Sequence, residues 1–210
     1  MKAIILCAGY ATRLYPFTIN EPKALLQVNG FPLLSYTIKN LQEIKEIDKI
    51  YIVTNNKFYE NFKSWKKEQD SRVELINNET NTNEERLGGV VDLNLALQKF
   101  KEDDFLIILG DNFFNFQLKK FVGFFKQKKA ICIALHDIKD IEKAKRFGVV
   151  SVDKKNRVLN FEEKPSEPKS TLISTGAYIF TKKDLEDIRK YIELGKPKEG
   201  PGYIIKDFLV

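Results

Sequence analysis

Histidine, tryptophan and methionine each occur once in 210 residues, and cysteine occurs twice. Cys7 and Cys132 stand far apart, and with the single His136 they cannot assemble a zinc centre of the usual Cys/His kind. Each lies inside an apolar run, where a lone thiol is core filler rather than half of a disulfide. Glycine (11) and proline (7) are too scarce for a fibrous or low-complexity chain. A hydrophobic share of 43% is too high for a disordered one. No apolar run approaches the roughly 18 to 20 residues of a membrane span. Met1 leads straight into an apolar strand pattern, with no charged n-region and no small-residue cleavage site. The expectation is a cytoplasmic protein with no membrane partner. A run of five consecutive basic residues is also missing. The 35 basic and 29 acidic residues are interspersed and leave a net charge of +6. That pattern reads as a solvated surface, so no nucleic-acid partner is expected. A mild positive field does suit a small anionic substrate.

Strand and helix signals alternate along the chain. Apolar runs at residues 2–7, 49–53, 73–76, 105–109 and 130–135 read as buried strands. Helical periodicity occupies 32–44, 58–69, 89–100 and 118–125, with Pro32 suited to a first turn. Residues 77–87 are polar and read as a loop. Beyond Phe147 the rhythm changes: 148–152 and 157–161 flank a turn at 153–156 and predict a hairpin. A strand at 171–180 and a helix at 184–192 follow. This order predicts an α/β fold, a Rossmann-like mixed, mostly parallel sheet with helices on both faces. Residues 1–210 read as a single domain. Ligands on such sheets bind beyond the carboxyl ends of the strands, so residues that follow strands carry the interest.

The first strand runs into Ala8-Gly9-Tyr10-Ala11-Thr12-Arg13-Leu14-Tyr15-Pro16, and Pro22-Lys23-Ala24-Leu25-Leu26 lies shortly after. Such a loop can turn backbone N–H groups and a guanidinium toward phosphate oxygens, with Lys23 as a second cation. Taken alone it is equally an ordinary surface loop. It is no Walker loop, because the Gly-Lys-Ser/Thr ending is absent. A second feature is Leu109-Gly110-Asp111-Asn112, a carboxylate at the end of a buried strand. It can hold a divalent cation near phosphates or merely form a turn.

Together these segments resemble the signature of the nucleotidyltransferases that join a nucleoside triphosphate to a sugar 1-phosphate. That family reads Leu-Ala-Gly-Gly-x-Gly-Thr-Arg-Leu-x-Pro-Leu-Thr, a spacer, then Pro-Lys-x-Leu-Leu. This chain matches at Leu6, Gly9, Thr12, Arg13, Leu14, Pro16, Thr18, Pro22, Lys23, Leu25 and Leu26, with unbroken spacing. It departs at Ala8, Tyr10 and Ala11; Ala11 stands where the family has Gly, so a tighter or differently turned cradle is expected. Phe147-Gly148-Val149-Val150, Glu162-Glu163-Lys164-Pro165 and Thr175-Gly176-Ala177-Tyr178 resemble further landmarks. Leu87-Gly88 match the loop that holds the base, while Arg86 and Asp92 depart from it.

The resemblance implies transfer of a nucleoside monophosphate from an NTP to a sugar 1-phosphate, with release of pyrophosphate. It assigns Arg13 and Lys23 to catalysis, and Leu6, Ala8, Gly9, Thr12, Leu87 and Gly88 to the nucleotide. It assigns Gly148, Glu163, Lys164, Thr175 and Gly176 to the sugar phosphate, and Asp111 to a Mg²⁺ cofactor. His136 receives no role. The family usually continues to a Trp-x-Asp-x-Gly-like segment with a second metal ligand; the expectation here is a domain lacking it, and Asp207 reads as part of an amphipathic helix. A non-catalytic nucleotide-sugar-binding regulatory module and a phosphocholine-type cytidylyltransferase stand as alternatives. The base (dTTP, UTP, CTP or GTP) and the sugar stay open, as does homo-oligomerisation. The stretch holding Phe113, Phe114, Phe116, Phe121, Phe124 and Phe125 is expected in the core rather than at an interface.

Overall fold

The computed structural model describes residues 1–114 and 116–208. Leu209 and Val210, the end of the expected domain, lie outside the described residues, as does Asn115. In chain order the strands are Lys2–Leu6 (β1), Gln27–Val28 (β2), Phe31–Pro32 (β3), Lys49–Thr54 (β4), Val73–Asn77 (β5), Phe105–Leu109 (β6), Cys132–Asp137 (β7), Gly148–Val152 (β8), Val158–Glu163 (β9) and Leu172–Phe180 (β10). The α-helices are Leu33–Gln42 (α1), Tyr59–Lys66 (α2), Gly89–Leu97 (α3), Leu118–Lys128 (α4), Ile141–Ala144 (α5), Leu185–Glu193 (α6) and Gly202–Phe208 (α7).

The main sheet follows the order β5-β4-β1-β6-β10-β8-β9, with β7 paired to β10. β5, β4, β1 and β6 are mutually parallel. β10 runs antiparallel to β6, β7 and β8, and β8–β9 is the expected hairpin. The mixed, mostly parallel sheet flanked by helices is therefore the one its sequence pattern predicts.

Strand side chains alternate between two cores, as the pleat requires. Ala3 and Ile5 of β1 with Leu106 and Ile108 of β6 meet Leu34, Ile38 and Leu41 of α1 and Val122 and Phe125 of α4 on one face. Ile4, Phe105 and Ile107 meet Leu93 and Leu97 of α3, Ile188 of α6 and Ile204 of α7 on the other. Each fully buried aliphatic or aromatic side chain contributes about 1.5–3 kcal/mol. A sheet covered on both faces explains why its parallel strands read as unbroken apolar runs.

Some boundaries differ from the sequence reading. Pro32 pairs with Gln27 in a two-stranded ribbon and precedes α1 instead of opening it. α2 and α3 stop at Lys66 and Leu97, while α4 extends to Lys128. The short β2–β3 ribbon and α5 carry no periodic signal. The phenylalanine stretch is only partly core. Phe114 and Phe125 are buried, whereas Phe113 (59% exposed) and Phe124 (40%) are not.

β10 organises the working end of the sheet. Ala177–Phe180 pair with β6, whereas Ile173 pairs with β8. Between them the register against β7 shifts from Ser174 to Tyr178, a bulge that contains Gly176 at φ 76°. Because β7 keeps the opposite edge along both halves, β6 and β8 diverge on the shared edge. A gap opens beyond the carboxyl end of β6.

Gly110 sits at that end and donates its N–H to the Leu6 carbonyl at 2.9 Å. A Cβ there would lie 2.2 Å from the Cys7 sulfur. Gly110→Ala should cost about 1–3 kcal/mol through overpacking, read as a lower Tm. Cys7→Ala in the same chain should recover most of that loss; no recovery would mean that the sulfur is not the obstacle.

Candidate active site

The loop after β1 is set by buried hydrogen bonds. Asn55 Nδ2 donates to the Ala8 carbonyl at 3.0 Å, and Thr18 Oγ1 donates to the Ala11 carbonyl at 2.8 Å. Ala11 adopts the left-handed conformation (φ 48°, ψ 41°). That is a conformation glycine takes readily, and it is costly for a residue with a Cβ. A short 3₁₀ turn, Thr12–Leu14, then carries Arg13. A second one, Lys23–Leu25, is anchored by buried Pro22, Ala24 and Leu25 and leaves Lys23 facing the sheet end.

Gly110, with no side chain, brings Asp111 to the same spot. Lys23 Nζ donates to Asp111 Oδ2 at 2.8 Å, with the two side chains 36% and 51% exposed. Next along, Asn112 Nδ2 donates to the Thr175 carbonyl at 2.9 Å, tying the end of β6 to the β10 bulge. A Cβ on Gly176 would lie 2.6 Å from Asn112 Nδ2, so the bulge needs a glycine on steric as well as conformational grounds.

Two cavities meet here. One, of about 740 Å³, is lined by Leu6, Ala8, Gly9, Arg13, Lys23, Leu87, Gly88 and Asp92, among others. The second, of about 880 Å³, is lined by Gly148, Glu163, Thr175 and Gly176 and by the aromatic rings of Phe113, Phe114, Phe116, Phe147 and Tyr178. Leu109, Asp111 and Lys164 line both. The structure thus brings the sequence-selected residues, except Thr12, to two cavities that share lining residues. Thr12 is exposed and lines neither cavity. His136, given no role, lines the second.

The first cavity carries Arg13, Lys23, Arg86, Lys164 and Lys198 against Asp92, Asp111 and Glu199. Among the described residues, Arg13, Arg86 and Lys198 make no ion pair, so their charge is free to meet an anion. Lys164 has a left-handed backbone (φ 48°) and its ammonium lies 3.7 Å from Glu163. Burial raises the Glu163 carboxyl above its ordinary range, against the opposing pull of Lys164. In the second cavity the Thr175 hydroxyl is engaged, donating to the Ala134 carbonyl at 2.9 Å.

Several site residues carried no legible signal. Lys198 and Glu199 reach the first cavity, and their carbonyls accept the α3 N-terminal N–H groups of Val90 (2.9 Å) and Gly89 (3.2 Å). A Cβ on Gly88 would lie 2.4 Å from the Lys198 oxygen. Pro201 and Gly202 complete the second cavity. These contacts are long-range and backbone-mediated; only the Gly200-Pro201-Gly202 turn marks them in the sequence.

A buried polar chain runs beneath the first cavity. The Tyr10 and Thr80 hydroxyls are 2.9 Å apart, Thr80 Oγ1 donates to Asn78 Oδ1 at 2.9 Å, and Asn78 Nδ2 donates to Asp92 Oδ1 at 2.7 Å. Asp92 is 6% exposed. Burial pushes its carboxyl up from the usual 3.8 to about 6, against the favourable Asn78 bond.

Such a two-cavity site at the carboxyl end of a mixed sheet suits a protein that holds two substrates side by side. The profile of the nucleotidyl transferase family matches residues 2–206. The chain belongs to that family. It is 33% identical over 193 residues to the bifunctional protein GlmU of Methanocaldococcus jannaschii, covering 90% of this chain and 42% of that one. It is 33% identical over 192 residues to a Sulfolobus acidocaldarius protein provisionally named mannose-1-phosphate guanyltransferase, covering 90% and 50%. The chain thus spans half or less of these two curated relatives. Among solved structures, a Bacillus anthracis protein provisionally named glucose-1-phosphate thymidylyltransferase, in complex with a sucrose, superposes with a TM-score of 0.80 at 29% identity. That match covers 94% of this chain and 76% of that one.

The Asp92 environment has a consequence for stability. Its folded pKa is raised, so the folded state binds the proton more tightly than the unfolded chain does. The resulting stabilisation is full below about pH 4 and is lost as pH rises through about 6. Asp92→Asn should therefore be more stable than the parent above pH 6, by about 1–3 kcal/mol. The advantage should vanish near pH 4. Thermal unfolding of both proteins across that range measures it.

Proposed function

We propose that this chain transfers a nucleoside monophosphate from an NTP to a sugar 1-phosphate, making a nucleotide sugar. A phosphate oxygen of the acceptor attacks the α-phosphorus in line. The α–β bridging P–O bond breaks, and its electron pair leaves with pyrophosphate. The nucleophile is already an anion, so no general base is required. The barrier lies in bringing two polyanions together and in stabilising charge on the α-phosphate, which is work for positioned cations.

The observation that carries this reading is the junction of the two cavities at Asp111 and Lys164, with Lys23 of the first cavity paired to Asp111. The triphosphate occupies the first cavity, with its α-phosphate toward Lys23 and its outer phosphates toward Arg13. The acceptor occupies the second, with its phosphate at Lys164 and a hydroxyl at Glu163. Backbone at Leu6, Ala8, Gly9, Leu87 and Gly88 borders the nucleoside. The names of the relatives, which include a guanyltransferase and a thymidylyltransferase, leave the base open.

A Mg²⁺ ion suits the donor set. Among the described residues no group of three or more potential ligands occurs. Asp111 nevertheless offers a hard, half-exposed oxygen at the junction. Mg²⁺ commonly takes one or two carboxylates and completes its shell with substrate phosphates and water. When bound, it would neutralise phosphate charge; the chain's own part is to hold Asp111 in reach of the triphosphate.

A second reading has one observation in its favour. The rings of Phe113, Phe114, Phe116 and Phe147, with Glu163 nearby, form an acceptor wall that also suits a quaternary ammonium, as in phosphocholine.

The test is pyrophosphate release from a panel of NTPs with sugar 1-phosphates, phosphocholine and Mg²⁺. Turnover with a sugar 1-phosphate is expected. Turnover with phosphocholine alone would favour the second reading, and nucleotide-sugar binding without turnover would favour a regulatory module. Lys23→Ala or Arg13→Ala should lower the rate about 10² to 10³-fold, the usual loss for one preorganised charge stabiliser. Near-normal release by Lys23→Ala would contradict the assignment.

A further inference from the structure

We propose that Asp92 reads the nucleotide base and selects guanine, by accepting hydrogen bonds from the adjacent N1–H and N2–H groups of its Watson–Crick edge. The inference rests on the nucleotide reading of the first cavity and deepens it.

Asp92 lies in the first turn of α3, where its N–H donates to the carbonyl of Gly88 at 3.0 Å, and it lines the first cavity. A carboxylate only 6% exposed normally has its oxygens satisfied by protein donors. Here a single donor, Asn78 Nδ2, reaches Oδ1, and Asp92 has no ion pair among the described residues. Thr54 Oγ1 is the one sealed side-chain polar atom without a partner among the described residues. Asp92 Oδ2 is therefore short of a donor without being sealed, which leaves it open to a donor arriving in the cavity. The Asn78 bond also fixes the carboxylate. Asn78 Oδ1 already accepts from Thr80, so its amide presents its N–H side to Asp92.

The chemistry of the bases then decides among them. A carboxylate accepts at both oxygens and donates at neither. Guanine alone among the common bases presents two adjacent N–H donors. Adenine and cytosine offer an amino group beside a ring-nitrogen lone pair, which would face the carboxylate. Uracil and thymine offer one N–H flanked by two carbonyl oxygens. Each of these pairs one donor with at least one repulsive acceptor, so Asp92 works against them as well as for guanine.

Asp92→Asn tests this with a gain as well as a loss. Asn78 continues to donate to the new side-chain oxygen, which leaves an amide N–H₂ where Oδ2 was. That change mismatches guanine N2–H₂ and matches the C2 carbonyl of xanthine. Equilibrium binding of the Mg²⁺ complexes of ATP, CTP, GTP, UTP, dTTP and XTP is to be measured on both proteins, with pyrophosphate release as a second readout. The parent should bind GTP best. The variant should lose GTP affinity about 10- to 100-fold and gain XTP affinity over the parent, which a merely structural role for Asp92 would not produce. A parent preference for another base, or equal change toward all nucleotides, overturns the inference while pyrophosphate release keeps the proposed function. GTP-to-XTP exchange without turnover would sustain Asp92 and overturn the function. No nucleotide binding at all would overturn both.

Discussion

Lys23 and Asp111 are 88 residues apart in sequence and 2.8 Å apart in space. The pair is too exposed to matter much for stability; ion pairs of this kind contribute about 0–1 kcal/mol. Its importance is positional. The backbone fixes each partner independently: Lys23 by the buried Pro22, Ala24 and Leu25 around its 3₁₀ turn, Asp111 by Gly110 against Cys7. A weak contact between two firmly held groups is easily exchanged for a phosphate or a cation.

The β10 bulge supplies the second condition. An uninterrupted β10 would keep β6 and β8 in one line and close the gap beyond Leu109. With Gly176 at positive φ and Asn112 bonded to the Thr175 carbonyl, the edge splits instead, and Gly148, Glu163 and Lys164 come to border the open space. Asp111 then borders both cavities. The buried polar chain from Tyr10 to Asp92 is the third element. It links the β1 loop to α3 beneath the first cavity, at a cost in stability that burial of the Asp92 charge makes explicit.

The sequence made the parallel half of the fold legible, because strands covered on both faces must be continuous apolar runs and their helices must be amphipathic. It also marked Asp111, Glu163 and Lys164, which end or follow strands, and Arg13 and Lys23, which stand in the loop after β1; all five line the cavities. Other features were hidden for physical reasons. The β2–β3 ribbon is two residues per strand and has no period to detect. Lys198 and Glu199 act through carbonyls, which any residue possesses. Phe113 and Phe124 are apolar and exposed, a combination that the general tendency of apolar residues to be buried misreads as core. Thr12 fits the family pattern at its position, yet its exposed turn leaves it outside both cavities.

The most direct measurement is a structure of the chain with Mg²⁺, a sugar 1-phosphate and an NTP whose α–β bridge resists cleavage. The α-phosphate should lie within hydrogen-bond reach of Lys23 Nζ and the acceptor phosphate at Lys164, with both ligands in one continuous space. An intact Lys23–Asp111 contact with the triphosphate bound elsewhere, or the two phosphates held in unconnected cavities, would contradict it.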